Sequence, residues 1–279
     1  MSDLSSKIYQ FIYSSTNGMT SKIGILSLIF YPFVMVFDKL GSWLKIASIY
    51  ASILTVISFI FGYSYICAYG NVNNIFCNSS SWWYWFYMLI KLVILAFFIT
   101  EWIAICAGEK YFVRQSFKLS IPKIKTALII IALMTLSSIG IISGYLLAIR
   151  IPSPDWKIEL GYFTIVSLGF LVPILATRFY SLIAFAGKNK PLPSMRNIWK
   201  STKGQTMKIL FSLFVILIVM VSVLGNYLMS FRYDESENLW VFSIISEFIL
   251  NILVLLFIAI WAGNCITQKE IIEMGNKND

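Results

Sequence analysis

SMRNIWKSTKGQTMKIL, residues 194–210, sets Arg196, Lys200, Lys203 and Lys208 around a single Trp, with Lys190 just upstream. It then runs without a break into the apolar stretch 209–224. A basic, Trp-bearing segment that becomes an uninterrupted hydrophobic helix marks a chain entering a bilayer from its cytoplasmic side. Weaker versions stand at 39–46 and 118–128. Their recurrence predicts an all-α, polytopic transmembrane helical bundle.

The composition agrees. Of 279 residues, 58% are hydrophobic and 13% charged. Soluble domains carry roughly 25% charged residues, so this chain has too little polar surface to cover a globule in water. The absence of His removes His-based catalysis and His metal sites. Four Cys in so long a chain make no secreted-type disulfide framework. The opening MSDLSSK lacks the pattern of a removable signal peptide.

Six runs are long enough to cross: 44–65, 83–107, 126–149, 160–186, 208–231 and 239–265. An earlier apolar run, 23–37, is interrupted by Pro32, and its 15 residues reach only about 22 Å as a helix. That is short of the ~30 Å hydrocarbon core. It is expected to be an interfacial or re-entrant helix, with a seventh span as the alternative. The organisation expected is an N-terminal cytoplasmic and interfacial segment (1–43), a six-span domain (44–266) and a cytoplasmic tail (267–279). Counting Lys and Arg through the five connections gives 0, 5, 2, 6 and 1. By the positive-inside rule both termini and both long loops are cytoplasmic.

The even-numbered spans close alike, on Ala107-Gly108, Ala186-Gly187 and Ala262-Gly263. The odd-numbered spans open alike, at Lys45, Lys125 and Lys208. The chain therefore reads as three helical hairpins of about 80 residues, a pattern common among transporters. The competing explanation is that Gly ends helices and Lys marks the cytoplasmic face.

Four ionisable residues lie well inside predicted spans: Lys91, Glu101, Arg178 and Glu247. Such residues are costly in lipid and pair or face the bundle interior. With the Ala-Gly glycine as a depth marker, Lys91 matches Glu247 towards the outer leaflet. Glu101 matches Arg178 towards the inner one. Two intramembrane pairs are expected, fixing helix register. A polar cavity for an ion, proton or small solute, or snorkelling of long side chains, are the alternatives.

Cys67 and Cys77 flank the first outer loop and could close it by a disulfide on an oxidising face. Cys106 and Cys265 read as small packing residues. Lys110, Arg114 and Lys118 recur every four residues, as do Arg196, Lys200 and, nearly, Lys203. Each set makes a basic stripe on a surface helix, suited to anionic lipid headgroups. Nucleic acid fits poorly, because the basic residues lie against the membrane. No phosphate loop, nucleophile arrangement or metal-ligand spacing is present in the sequence, so no cofactor or metal is expected.

Trp199-Lys200-Ser201-Thr202-Lys203-Gly204, followed by Lys208-Ile209-Leu210, resembles a signature of uncharacterised bacterial six-span proteins. These are of the YciC-like and glycerophosphodiester phosphodiesterase membrane-domain-like kind. Asn197-Ile198 stands where Ser is usual in that signature. The resemblance implies a polytopic protein of the bacterial inner membrane without the soluble phosphodiesterase domain. The function expected is a non-enzymatic membrane component that interacts with lipid or partner membrane proteins. A transporter or channel subunit using the four buried charges is the alternative.

Overall fold

The computed structural model describes residues 25–61, 82–109, 118–149, 178–202, 206–230 and 239–275. All regular structure among them is helical, in eight helices. These are α1 (Ile25–Asp38), α2 (Leu40–Ile60), α3 (Trp82–Cys106), α4 (Ile121–Ile149), α5 (Ser181–Gly187), α6 (Met195–Ser201), α7 (Thr206–Ser230) and α8 (Leu239–Gly275).

Four segments are long and apolar enough to cross a membrane: Leu40–Ile60, Phe86–Cys106, Thr206–Asn226 and Ile244–Lys269. They fall on the first, second, fifth and sixth expected spans. The third expected span falls on α4, 29 residues long. Only the end of the fourth lies within the described residues.

Helix α8 is the axis of the bundle. It packs against α1, α2, α3, α5, α6 and α7, while α2–α3, α3–α4 and α4–α5 form neighbouring contacts around it. Its 37 residues extend about 55 Å, well beyond the ~30 Å hydrocarbon thickness. The helix continues straight through the boundary expected at 266/267. Every residue from 262 to 269 is buried.

Side-chain periodicity explains the packing. On α2 the buried residues are Trp43, Ile46, Ala47, Tyr50, Ala51, Leu54, Thr55 and Ser58, the i, i+3, i+4 pattern of one helical face. The buried positions Lys123, Thr126, Ala127, Ile130 and Leu133 do the same for α4. Helix α7 buries only a narrow seam, Ile209, Ser212 and Ile216, and turns Phe211, Phe214, Leu217 and Val221 outward. In water such a helix would be untenable, whereas lipid tails accept it.

The short α1 is more deeply engaged than an interfacial segment need be. Leu28 and Val36 are almost fully buried. Leu28 packs on Ile209 and Leu213 of α7, Pro32 meets Gly263 of α8, and the Lys39 ammonium donates to the Ile105 carbonyl of α3. These partners are the first turns of α7, the last turns of α3 and the Gly263 level of α8. Thus α1 lies within the layer of the bundle marked by Gly108 and Gly263.

The three Ala-Gly pairs do three different things. Gly108 ends α3 in a left-handed conformation (φ +92°), with Glu109 N–H donating to the Ala104 carbonyl and Gly108 N–H to that of Ile105. This is a Schellman termination. In α5 the same bonds run from Lys190 to Phe185 and from Asn189 to Ala186. There Asn189 takes the left-handed position (φ +51°), and Gly187 is a packing site against Ile103. Gly263 ends nothing. It lies in mid-helix, where an added Cβ would sit 3.0 Å from Pro32 Cα.

Candidate functional site

Two buried polar centres and one interfacial cluster stand out. The first centre is charged. Glu101 of α3 is 6% exposed and Lys123 of α4 is 3% exposed. The Lys123 ammonium lies 2.5 Å from Glu101 Oε1, and the Tyr50 hydroxyl of α2 donates to the same oxygen at 3.0 Å. The Phe97 ring lies 5.3 Å from Lys123 Nζ, and Phe98 meets Tyr50 edge-on at 5.7 Å. Three helices therefore converge on one carboxylate within an aromatic wall. A charge taken out of water is tolerated when its partner and hydrogen bonds come with it. Lys123 reaches inward from the first turn of α4, so a residue that counts in sequence as a loop cation is in the structure an interior one.

The second centre is neutral. Pro32 has no N–H, so the Leu28 carbonyl four residues earlier loses its helical partner. Asn264 of α8 supplies a replacement, donating through Nδ2 to the Leu28 carbonyl at 3.2 Å and sharing a contact with Ser212 Oγ at 3.0 Å. Ser212 in turn donates to Ile209 O at 2.8 Å, and Gln268 Nε2 donates to Asn264 Oδ1 at 2.8 Å. The missing Cβ of Gly263 admits Pro32 at the same level. Helices α1, α7 and α8 are joined there by one amide.

Beyond Glu101, towards the end of the bundle remote from Gly263, α2 carries further polar contacts. Asn251 Nδ2 donates to Thr55 Oγ1 at 3.1 Å, and Ser58 Oγ lies 3.0 Å from the Tyr87 hydroxyl. The depth marker holds across these helices. Glu101 lies seven residues before Gly108, Asn251 lies twelve before Gly263, and their partners Tyr50 and Thr55 are five apart.

The expected ion pairs are rearranged. Lys91 turns to Tyr87 one helical turn away, its ammonium 4.8 Å from the ring centroid. Glu247 is buried on α8, and the two do not meet as an ion pair among the described residues. Glu101 takes Lys123 in place of Arg178, whose guanidinium lies over Trp199 of α6, 3.9 Å from the ring centroid. In both cases the cation stacks on an aromatic ring, Lys91 on Tyr87 and Arg178 on Trp199.

That Arg178–Trp199 stack is the interfacial cluster. Ser194 caps α6 by accepting from the Asn197 N–H at 3.3 Å. Ile198 is buried against Leu182 and Phe185 of α5, which anchors α6 on α5 at this one residue. Arg196 and Lys200 are exposed, as expected of a basic surface helix, and so is Lys118 just before α4. Lys110, Arg114, Lys203, Cys67 and Cys77 lie outside the described residues. Cys106 and Cys265 are free thiols within the bundle.

Tyr50, Lys123, Asn251, Asn264 and Gln268 are the site residues that counting charges inside spans overlooks. On α8 their signal in sequence was polar residues one turn apart, Glu247 with Asn251 and Asn264 with Gln268. Compared with protein-family models, curated proteins and solved structures, the chain finds no match.

Proposed function

We propose that this protein is a non-enzymatic, six-span component of a bacterial inner membrane that interacts with lipid or with partner membrane proteins, both termini facing the cytoplasm. The observation that carries this reading is the closure of the charged centre. Glu101 is met by Lys123 and Tyr50 from two other helices, with almost no exposure. A solute pathway through this level would need such groups to face water; a dry pair holds helices in place. The contact surfaces are then the outward apolar face of α7 and the basic layer around α6. Native mass spectrometry of the protein released from nanodiscs tests the reading. Stoichiometric anionic lipid or a fixed protein partner is the expected result, and a bare protein under the mildest conditions overturns it.

The transporter or channel alternative draws on the polar contacts spaced along α2, at Tyr50, Thr55 and Ser58. Under that reading, Glu101→Gln abolishes solute flux in proteoliposomes while leaving the protein folded.

A further inference from the structure

We propose that Arg178, Trp199 and the exposed face of α6 form a site for the phosphate of an anionic phospholipid. The proposal rests on the lipid-interacting reading above and assigns it a place and a chemistry.

The first observation is the state of Arg178. Its guanidinium lies over the Trp199 ring, and its Nε is buried without a hydrogen-bond partner. Stacking uses the face of a guanidinium and leaves its in-plane edges. The Nε edge is one arm of the fork with which arginine grips phosphate or carboxylate in two parallel bonds. Buried donors are normally satisfied and this one is not, so a phosphate that displaces the groups covering Nε gains a bond that the free protein lacks.

The second observation is the electrostatic setting. From Arg178 to Lys208 the chain carries seven Lys and Arg and no Asp or Glu. Arg196 precedes Trp199 by three positions on α6, which makes them neighbours on the helix surface. An anion approaching the stack meets positive charge from Arg178 in the turn before α5 and from Arg196 and Lys200 on α6.

The third observation selects lipid as the source of the anion. Met195 is 62% exposed and Trp199 46%, apolar groups standing beside exposed Arg196 and Lys200. A short helix with this mixture rests at the boundary between headgroups and acyl chains. A phospholipid would place its phosphate on Arg178 and Arg196 and its glycerol and upper acyl chain along Trp199 and Met195. A soluble anion would leave that apolar surface uncovered.

The test uses the full chain in a neutral maltoside detergent, with phosphatidylglycerol and phosphatidylcholine of identical acyl chains offered in equal amounts. Native mass spectrometry should show phosphatidylglycerol retained over phosphatidylcholine. Arg178→Lys keeps the charge but removes the fork, and should lower retention roughly tenfold, as losing a charge-assisted hydrogen-bonded partner implies. Arg196→Gln, at an exposed position with no packing role, should lower it about twofold to threefold, as expected for a solvent-exposed charge contact. Unchanged retention in a folded Arg178→Lys protein overturns the site while leaving the lipid-interacting reading standing. Should that variant not fold, unchanged retention in Arg196→Gln overturns it equally. Displacement of the lipid by millimolar inorganic phosphate also overturns it, in favour of a free anion. A wild-type protein that holds neither lipid nor partner removes the underlying reading, and this site with it.

Discussion

The centres at Glu101 and Asn264 solve one problem in two ways. Each places polar atoms inside an apolar bundle, and each draws three helices together. At Glu101 the polar group is a full charge, and it is matched by an ammonium and a hydroxyl from α4 and α2. At Asn264 the polar group is a backbone carbonyl released by a proline, and it is matched by a neutral amide. The charged centre is costly to break and sensitive to single changes, since removing one partner leaves the other buried. The neutral centre is cheaper and depends on shape, because the amide reaches the carbonyl only where Gly263 lets the helices approach.

The difference is sharpest in Lys123→Met. Taking away the ammonium beside Glu101 should destabilise the protein by about 3–5 kcal/mol. Adding Glu101→Met should recover most of that loss, because an apolar pair of similar volume is often as stable as the ion pair it replaces. Unfolding by SDS titration in mixed micelles measures both. A double variant no better than Lys123→Met alone would mean that Lys123 matters for something other than Glu101.

Shape is tested by Gly263→Ala. The new methyl would lie 3.0 Å from Pro32 Cα and Cβ, backbone and ring atoms that cannot swing aside. Overpacking of this kind costs about 1–3 kcal/mol. Under the same titration the matching change at Gly108 should act through backbone strain at φ +92°, with nothing crowding the new Cβ. Its cost should stay near 1 kcal/mol. Equal loss at both glycines would show that the α1–α8 approach is less tight than the structure places it.

How far the sequence foretells these features follows from the range of each interaction. Hydropathy is local, so the boundaries of α2, α3 and α7 lie within five residues of the expected spans wherever both ends are described. Depth is also legible, because rise per residue is constant, and the Tyr50–Glu101 and Thr55–Asn251 contacts keep the level read from the glycines. Partners are set by rotation around each helix axis and by tertiary neighbours. Lys123 looked like one cation of a basic loop, and Arg178 looked like the natural mate of Glu101. The Ala-Gly repeat was visible as spacing, yet one glycine terminates a helix, one packs on Ile103 and one admits Pro32. Spacing carries no trace of which neighbour will arrive. The carbonyl released at Leu28 was readable in principle from Pro32 alone; its donor, 236 positions away, was not.

A subtler break separates the proline from the amide. Asn264→Ala should cost about 1 kcal/mol, given the modest net value of interhelical hydrogen bonds in membranes. In a Pro32→Ala background, residue 32 regains its N–H and can satisfy the Leu28 carbonyl within α1. The second substitution should then cost less than it does in the wild type. A double-mutant cycle reads that coupling directly. Strict additivity would show that Asn264 is held by Ser212 and Gln268, and that its bond to the Leu28 carbonyl contributes nothing measurable.

The smallest expected effect supplies the reference for all the others. Gly225 lies on α7, towards the end remote from Asn264, with nothing within 4 Å of an added Cβ and no role in either centre. Ala there reduces the freedom of the unfolded chain and suits a helix better, so Gly225→Ala should stabilise by about 0.4–1 kcal/mol. If Gly225→Ala instead destabilises, an unmarked partner is packing against the outward face of α7. The exposed residues Phe211, Phe214, Leu217 and Val221 would then line a protein contact and not lipid. If it stabilises as expected, α7 is a lipid-facing helix anchored through Ile209, Ser212 and Ile216. The weight of the assembly then rests on α8 and the two polar centres that differ in charge.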